Sequence, residues 1–205
     1  MDKRLSKYAA FFGRSRDFVR EPQVGVTPAV SVARFPSLAA GFVRRVFTPV
    51  HDRCVYITHG MSEAQMHVPA QAASVYPSRI ELIAYCPGAY IGAHDGQDIV
   101  SALLQWLAAM PFETGSFFAP LQTASLEQAI CPGTEMSAFF FAVPDGLEMS
   151  RLCSCTPGAQ LVVSVMPITA SERAFAVQNG SARLIELFEK HHIPNLFDMS
   201  RKAVA

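Results

Sequence analysis

The sequence predicts an α+β domain, a central mixed, mostly antiparallel sheet with helices packed against it. Three observations carry this expectation. Strand-like runs come in clusters, at 52–58 with 79–86 and again at 115–121 with 137–143, instead of alternating strictly with helices. Runs with helical spacing stand at 3–12, 97–110 and 169–190. Half of the 205 residues are hydrophobic and only 17% are charged, enough apolar material for one large core. We therefore read residues 1–205 as one domain, with a helix and basic segment at 1–20 and a helical segment at 169–192.

Each element has its own local reason. Over 3–12, Leu5, Tyr8, Phe11 and Phe12 fall on one helical face, and Gly13 ends the run. Between 22 and 36, Val24, Val26, Val30 and Val32 alternate among prolines, which suggests short extended segments. Residues 52–58 are β-branched and aromatic and stop at His59-Gly60. In 79–86, Ile80, Leu82 and Ala84 mark one face while Ile83 and Tyr85 make the other apolar too, so this strand is expected to be covered on both sides. A loop bounded by Pro69 and Pro77 separates the two.

In the helix at 97–110, Ile99, Leu103, Trp106, Leu107 and Met110 form a stripe that Pro111 terminates. Both 115–121 and 137–143 read as strands, the second apolar enough to be central. Residues 148–155 and 160–167 flank Thr156-Pro157-Gly158, a type II turn sequence, and read as a hairpin. Thr169-Ala170-Ser171-Glu172 is a capping box opening the last helical segment. Asn179-Gly180 divides that segment into two short helices, the second burying Leu184, Leu187 and Phe188, and Pro194 follows its end.

Charge is zero overall but uneven. Residues 1–53 carry ten Lys/Arg against four Asp/Glu, or +6, and residues 54–205 carry seven against thirteen, or −6. The basic residues are scattered and lack the interleaved aromatics that single-strand binding uses, so nucleic acid is disfavoured as a partner. No apolar run reaches the roughly 18 residues of a membrane span. The start has only a four-residue apolar run and three acidic residues by position 21, unlike a leader. Five cysteines, an odd number, fit reduced thiols, and the expected location is cytoplasmic.

The chemistry-bearing residues do not assemble into a catalytic set. His59, Glu63 and His67 recur at fours, but the histidines would stand about 12 Å apart along a helix, too far to share a metal. A nucleophile elbow needs glycine two places before and two after its serine. Ser62 has Gly60 before it but Ala64 after it. Cys153 and Cys155, on a strand, would share a face and could join Cys54, Cys86 or Cys131, though no paired C-x-x-C knuckle exists. Gly88, Gly92 and Gly96 match no phosphate loop. Glu81 sits inside an apolar strand, where a solvated edge or a partner such as Arg79 would be needed. No metal and no cofactor is expected.

The order of the pieces does carry a signature. Thr58-His59-Gly60-Met61-Ser62, then Met66-His67-Val68-Pro69, then Arg79-Ile80-Glu81-Leu82 resembles the suppressor of fused-like family. Trp106 through Glu113, Met166-Pro167-Ile168-Thr169 with Glu172, Phe175-Ala176, Gly180 and Leu184–Leu187 continue the likeness, which spans roughly 1–200. The resemblance implies an α+β domain without catalytic activity. It also implies protein binding, by strand addition in the animal founding member and by toxin neutralisation in bacterial single-domain relatives. The family pattern carries histidines at two places; here Phe112 stands in the first, and Phe117, Phe118, Pro120 and Leu121 crowd the second, so the resemblance implies a more apolar contact surface here.

The expectation is thus a non-catalytic intracellular protein-binding domain of the bacterial type, an immunity protein whose partner is a toxin domain or an extended peptide. His59, Met61, Glu63, Met66, His67, Glu113, Phe117 and Phe118 are the expected partner-binding residues. Two alternatives stay open: a serine hydrolase using Ser62 with His59 or His67, and a homodimeric scaffold.

Overall fold

The structure is a computed structural model that describes residues 3–12, 18–35, 53–87, 98–144, 149–156 and 158–205. The expectations for Gly13, for Pro157 and for Gly88, Gly92 and Gly96 lie outside the described residues.

Seven strands form one mixed sheet: β1 (Phe18–Arg20), β2 (Ser31–Phe35), β3 (Arg53–His59), β4 (Ile80–Pro87), β5 (Thr123–Ser125), β6 (Met136–Ala142) and β7 (Leu161–Thr169). Their order is β1-β2-β3-β4-β7-β6-β5, and every neighbouring pair is antiparallel except β4 with β7. β4 is therefore the middle strand, as its two apolar faces predicted.

Alternation along the strands sends side chains to two cores. On one face Val32, Tyr56, Leu82, Ala84, Phe139, Phe141, Val163 and Val165 pack under helix α2 (Ile99–Thr114). On the other, Ala33, Phe35, Val55, Ile57, Ile83, Tyr85 and Val162 meet α1 (Lys3–Phe12) and α3 (Met149–Cys155). Further along that second face, Ala138, Phe140, Met166 and Ile168 are covered by α4 (Ala170–Asn179) and α5 (Ser181–Lys190). Each fully buried large side chain contributes about 1.5–3 kcal/mol, so the double-faced β4 is the mechanical centre of the domain.

α1 runs over the expected residues, and Thr169 caps α4 through a complete capping box. Gly180 divides α4 from α5, whose buried residues are Leu184 and Phe188, with half-buried Leu187 beside them.

Several expectations are corrected. Residues 149–155 form a helix, α3, and not the first arm of a hairpin. β7 then enters the sheet parallel to β4, a pairing that needs a crossover and cannot follow from a tight turn. Cys153 and Cys155 consequently do not share a strand face: Cys155 is buried and Cys153 half-buried. α2 does not stop at Pro111 but runs to Thr114, where Gly115 closes it in the left-handed conformation at φ 69° and the Thr114 hydroxyl takes up the Met110 carbonyl.

The buried stripe of α2 is also rotated from the expected one. Val100, Leu104, Leu107, Ala108 and Pro111 face the sheet, and Trp106 is 42% exposed. Gln105 sets this rotation. Its amide donates to the Glu21 and Val30 carbonyls and accepts from Arg20 Nε, which buries it. Finally, 115–121 is irregular, and β6 is next to the edge strand β5 instead of central, although its apolar residues are covered on both faces. The Val24 and Val26 segment turns instead of extending, and only the part from Ser31 enters the sheet.

Candidate functional site

β3 ends at His59, and the chain reverses at Gly60 into a short 3-10 turn, Met61–Glu63. Gly60 sits at φ 108°, and a Cβ there would lie 2.5 Å from the Ala29 carbonyl oxygen. Both constraints restrict the position to glycine. The turn is organised by Glu81 on β4, which is fully buried.

Glu81 Oε1 accepts from Gly60 N at 3.1 Å, Ser62 N at 3.1 Å and Ser62 Oγ at 2.7 Å. Its Oε2 accepts from Thr58 Oγ1 at 2.7 Å. Thr58 Oγ1 in turn accepts from Leu82 N at 2.7 Å, which takes the place of a ladder bond beyond the last β3–β4 pair. A carboxylate taken out of water is tolerable only when several donors face it, and four do. The expected pairing with Arg79 is corrected: that guanidinium donates Nη1 to the Ser62 and Glu63 carbonyls at 2.8 Å each, clamping the turn from outside. Tyr8 lies near this charge, its hydroxyl bonded to Thr156 Oγ1. Burial, with Glu81 adding to it, pushes the phenol well above the usual tyrosine range.

Beyond the turn the chain leaves as an extended rim. Met66 N bonds the Ser78 carbonyl at 2.8 Å, which fixes where the loop over 67–77 closes. The rim borders an open pocket of about 400 Å3 lined by Gln65, Met66, His67, Val68, Ala73, Tyr76, Pro77, Ser78 and Gln160. Tyr76 extends the wall to Phe117, their ring centres 5.8 Å apart.

The eight expected contact residues divide by exposure. His67 lines the pocket and is exposed, Glu63 and Glu113 are exposed, and Phe117 is half-buried against Tyr76. His59, Met61, Met66 and Phe118 are buried, Phe118 stacked on Phe141 at 4.3 Å, so they lie beneath the surface and support it. Gln65, Tyr76 and Gln160 were not singled out from the sequence. Tyr76-Pro77 directly before the β4 run was the available signal, whereas Gln160 arrives from more than eighty residues away and has no local one. Ser62 is fully buried and its hydroxyl proton is committed to Glu81, so its work is structural. Among the described residues, no group of three His, Cys, Asp or Glu side chains could hold a metal ion. No described helix is long and apolar enough to cross a membrane.

A mixed sheet with helices on both faces and a rim turn anchored by a buried glutamate defines a fold class, and comparison with known proteins places it. The suppressor of fused protein (SUFU) family model matches residues 45–202, and the chain belongs to that family. A crystal structure of a SUFU homologue from Neisseria gonorrhoeae is similar at a TM-score of 0.66 and 16% identity, covering 99% of this chain and 95% of that one. A chain in the crystal structure of a Sufu–Fu complex is similar at a TM-score of 0.68 and 10% identity, covering 98% and 90%. Drosophila Suppressor of Fused gives 0.59 and 12%, covering 85% of this chain but only 42% of its own length. At these identities the likeness is one of fold. No curated protein is a significant sequence match.

Proposed function

We propose that this chain is a non-catalytic protein-binding domain that grips a partner polypeptide across the rim of Glu63, Gln65, His67, Tyr76 and Phe117. The observation that carries this reading is the division of labour at the turn. Glu81 and Ser62, the groups most able to do chemistry, are buried and consumed in holding the backbone, while exposed and half-buried side chains beyond them form an open, mixed polar and aromatic wall. Aromatic groups beside amides and an imidazole suit a peptide, whose backbone offers both donors and acceptors. The fold neighbour solved as a Sufu–Fu complex supports protein binding as the task of such a domain.

The finer form of the proposal is an immunity role in the cytoplasm, in which the partner is a toxin domain. The −6 charge of residues 54–205 favours a basic partner, such as a nuclease-type toxin, by steering its approach. The test is to purify the chain with a toxin-like protein encoded beside its gene and titrate one with the other. A tight complex that suppresses the toxin and is weakened in His67→Glu supports the reading. Reaction of Ser62 with a fluorophosphonate, or turnover lost in Ser62→Ala, refutes it. Self-association that persists without any partner favours the homodimeric scaffold instead.

A further inference from the structure

We propose that Cys54 and Cys86 form a peroxide-responsive dithiol, its product a cross-strand disulfide that ties β3 to β4. The two residues are direct partners in the antiparallel β3–β4 register, and both belong to the core beneath α2, so their side chains share one face. Opposed residues of an antiparallel pair have Cα atoms about 4.5–5.5 Å apart, inside the ~4.4–6.8 Å that disulfides span. Their Cβ atoms, about 4.5–5.5 Å apart, lie at the wide end of what an S–S bond bridges. The bond is therefore strained and easily reduced, which suits a reversible modification.

Cys153 and Cys155 offer no equivalent, because residues two apart on a helix face away from each other. Both Cys54 and Cys86 are buried, and each stands one residue in from the same end of the paired strands, next to the terminal Arg53–Pro87 pair.

The surroundings assign the roles. The hydrogen bond with Cys86 lowers the Cys54 thiol below its usual range against the opposing effect of burial, and the Arg34 guanidinium adds to the lowering. Burial, and then the bond to Cys54, push Cys86 well up. Arg34 is itself held 3.7 Å from Asp98 Oδ2 and over the Tyr56 ring. Arg34 stands over Tyr56, two places along β3 on the same face as Cys54, so its positive charge lies on the Cys54 side, and Cys54 is assigned as the attacking sulfur with Cys86 resolving.

The Cys54 thiolate attacks one oxygen of hydrogen peroxide, the O–O bond breaks, and the departing hydroxide collects the thiol's proton as water. The resulting sulfenic acid is attacked by the Cys86 sulfur, S–S forms, S–O breaks, and the Cys86 proton leaves with hydroxide as a second water. Two thiols are oxidised and one peroxide is reduced to two waters. A small thiol reverses the bond by exchange.

The test treats the folded, reduced chain with hydrogen peroxide, then alkylates it in denaturant and maps the peptides by mass. A linked Cys54–Cys86 peptide, lighter by two hydrogens and cleared by a small thiol, is expected. Cys86→Ser should trap Cys54 as a sulfenic acid, whereas Cys54→Ser should leave Cys86 as a thiol. Oxidation confined to Cys131 or Cys153 while Cys54 and Cys86 stay alkylatable overturns the proposal, as does a Cys153–Cys155 bond formed in preference. The wild-type result stands even where a variant fails to fold.

Discussion

The Arg201 guanidinium meets the Glu172 carboxylate with both terminal nitrogens, Nη1 at 2.6 Å from Oε1 and Nη2 at 2.7 Å from Oε2. Glu172 is the capping-box residue of α4, and it also accepts from Thr169 N at 2.9 Å and Val204 N at 3.2 Å. Arg201 lies over the Phe188 ring and donates to the Pro167 carbonyl. One fully buried carboxylate therefore joins β7, α4, α5 and the C-terminal segment. Glu81 does the corresponding job for β3, β4 and the turn.

Breaking the first of these pairs on one side leaves a buried charge alone. Arg201→Met is expected to destabilise the fold by about 3–5 kcal/mol and to release the segment after Phe197. Denaturant unfolding gives the first quantity, and amide exchange of Val204 gives the second.

Glu81→Ala leaves four buried donors facing a cavity and is expected to cost about 3–5 kcal/mol. Glu81→Gln keeps one accepting oxygen and should cost less. Equal losses for the two variants would mean that the carboxylate's charge and second oxygen do not organise the turn.

Gly60→Ala forces an L side chain into φ 108° and drives its Cβ against the Ala29 carbonyl. A loss of at least about 2 kcal/mol is expected, read as a lowered unfolding midpoint. Ser62→Ala removes one hydrogen bond to the buried carboxylate and should cost about 1.5–3 kcal/mol while leaving partner affinity unchanged.

His67→Glu and Phe117→Glu act on the surface. Each is expected to weaken partner binding about 10-fold or more, and His67→Glu should shift stability by no more than about 0.5 kcal/mol because that side chain is exposed. Calorimetric titration beside thermal unfolding separates the two effects.

Alkali should unfold the protein earlier than its net charge alone requires. Tyr8 is neutral in the fold with its phenol raised by burial, and the unfolded chain's tyrosines lose their protons near pH ~10. The stability tied to Tyr8 is complete below that pH and is lost as pH climbs from there toward the folded value, because only the unfolded state releases the proton. Phenolate absorbance of Tyr8 should therefore appear together with loss of the fold, and a Tyr8 that titrates in the native state would contradict its burial.

The elements whose residues satisfy a local rule were legible in advance. β4 declared itself through two apolar faces, α4 through its capping box, the α4–α5 break through Asn179-Gly180, and the end of β3 through Gly60. The failures share one cause. The seven residues of α3 are too few for their spacing to distinguish helix from strand, and only packing of Leu152 and Cys155 into the second core decides. The rotation of α2 depends on Gln105 finding the Val30 carbonyl 75 residues away. At the rim, the sequence marked the turn and its exposed His67, but the partners of Glu81 are 19 to 23 residues distant and Gln160 reaches the pocket from another strand's approach. Local periodicity thus determined most of the helices, strands and turns, but not α3, the irregular 115–121 or the turn at Val24. The parallel β4–β7 pairing, the anchoring of the turn by Glu81 and the shape of the pocket were decided by the tertiary structure. Each rests on contacts between distant residues, which short-range spacing does not encode.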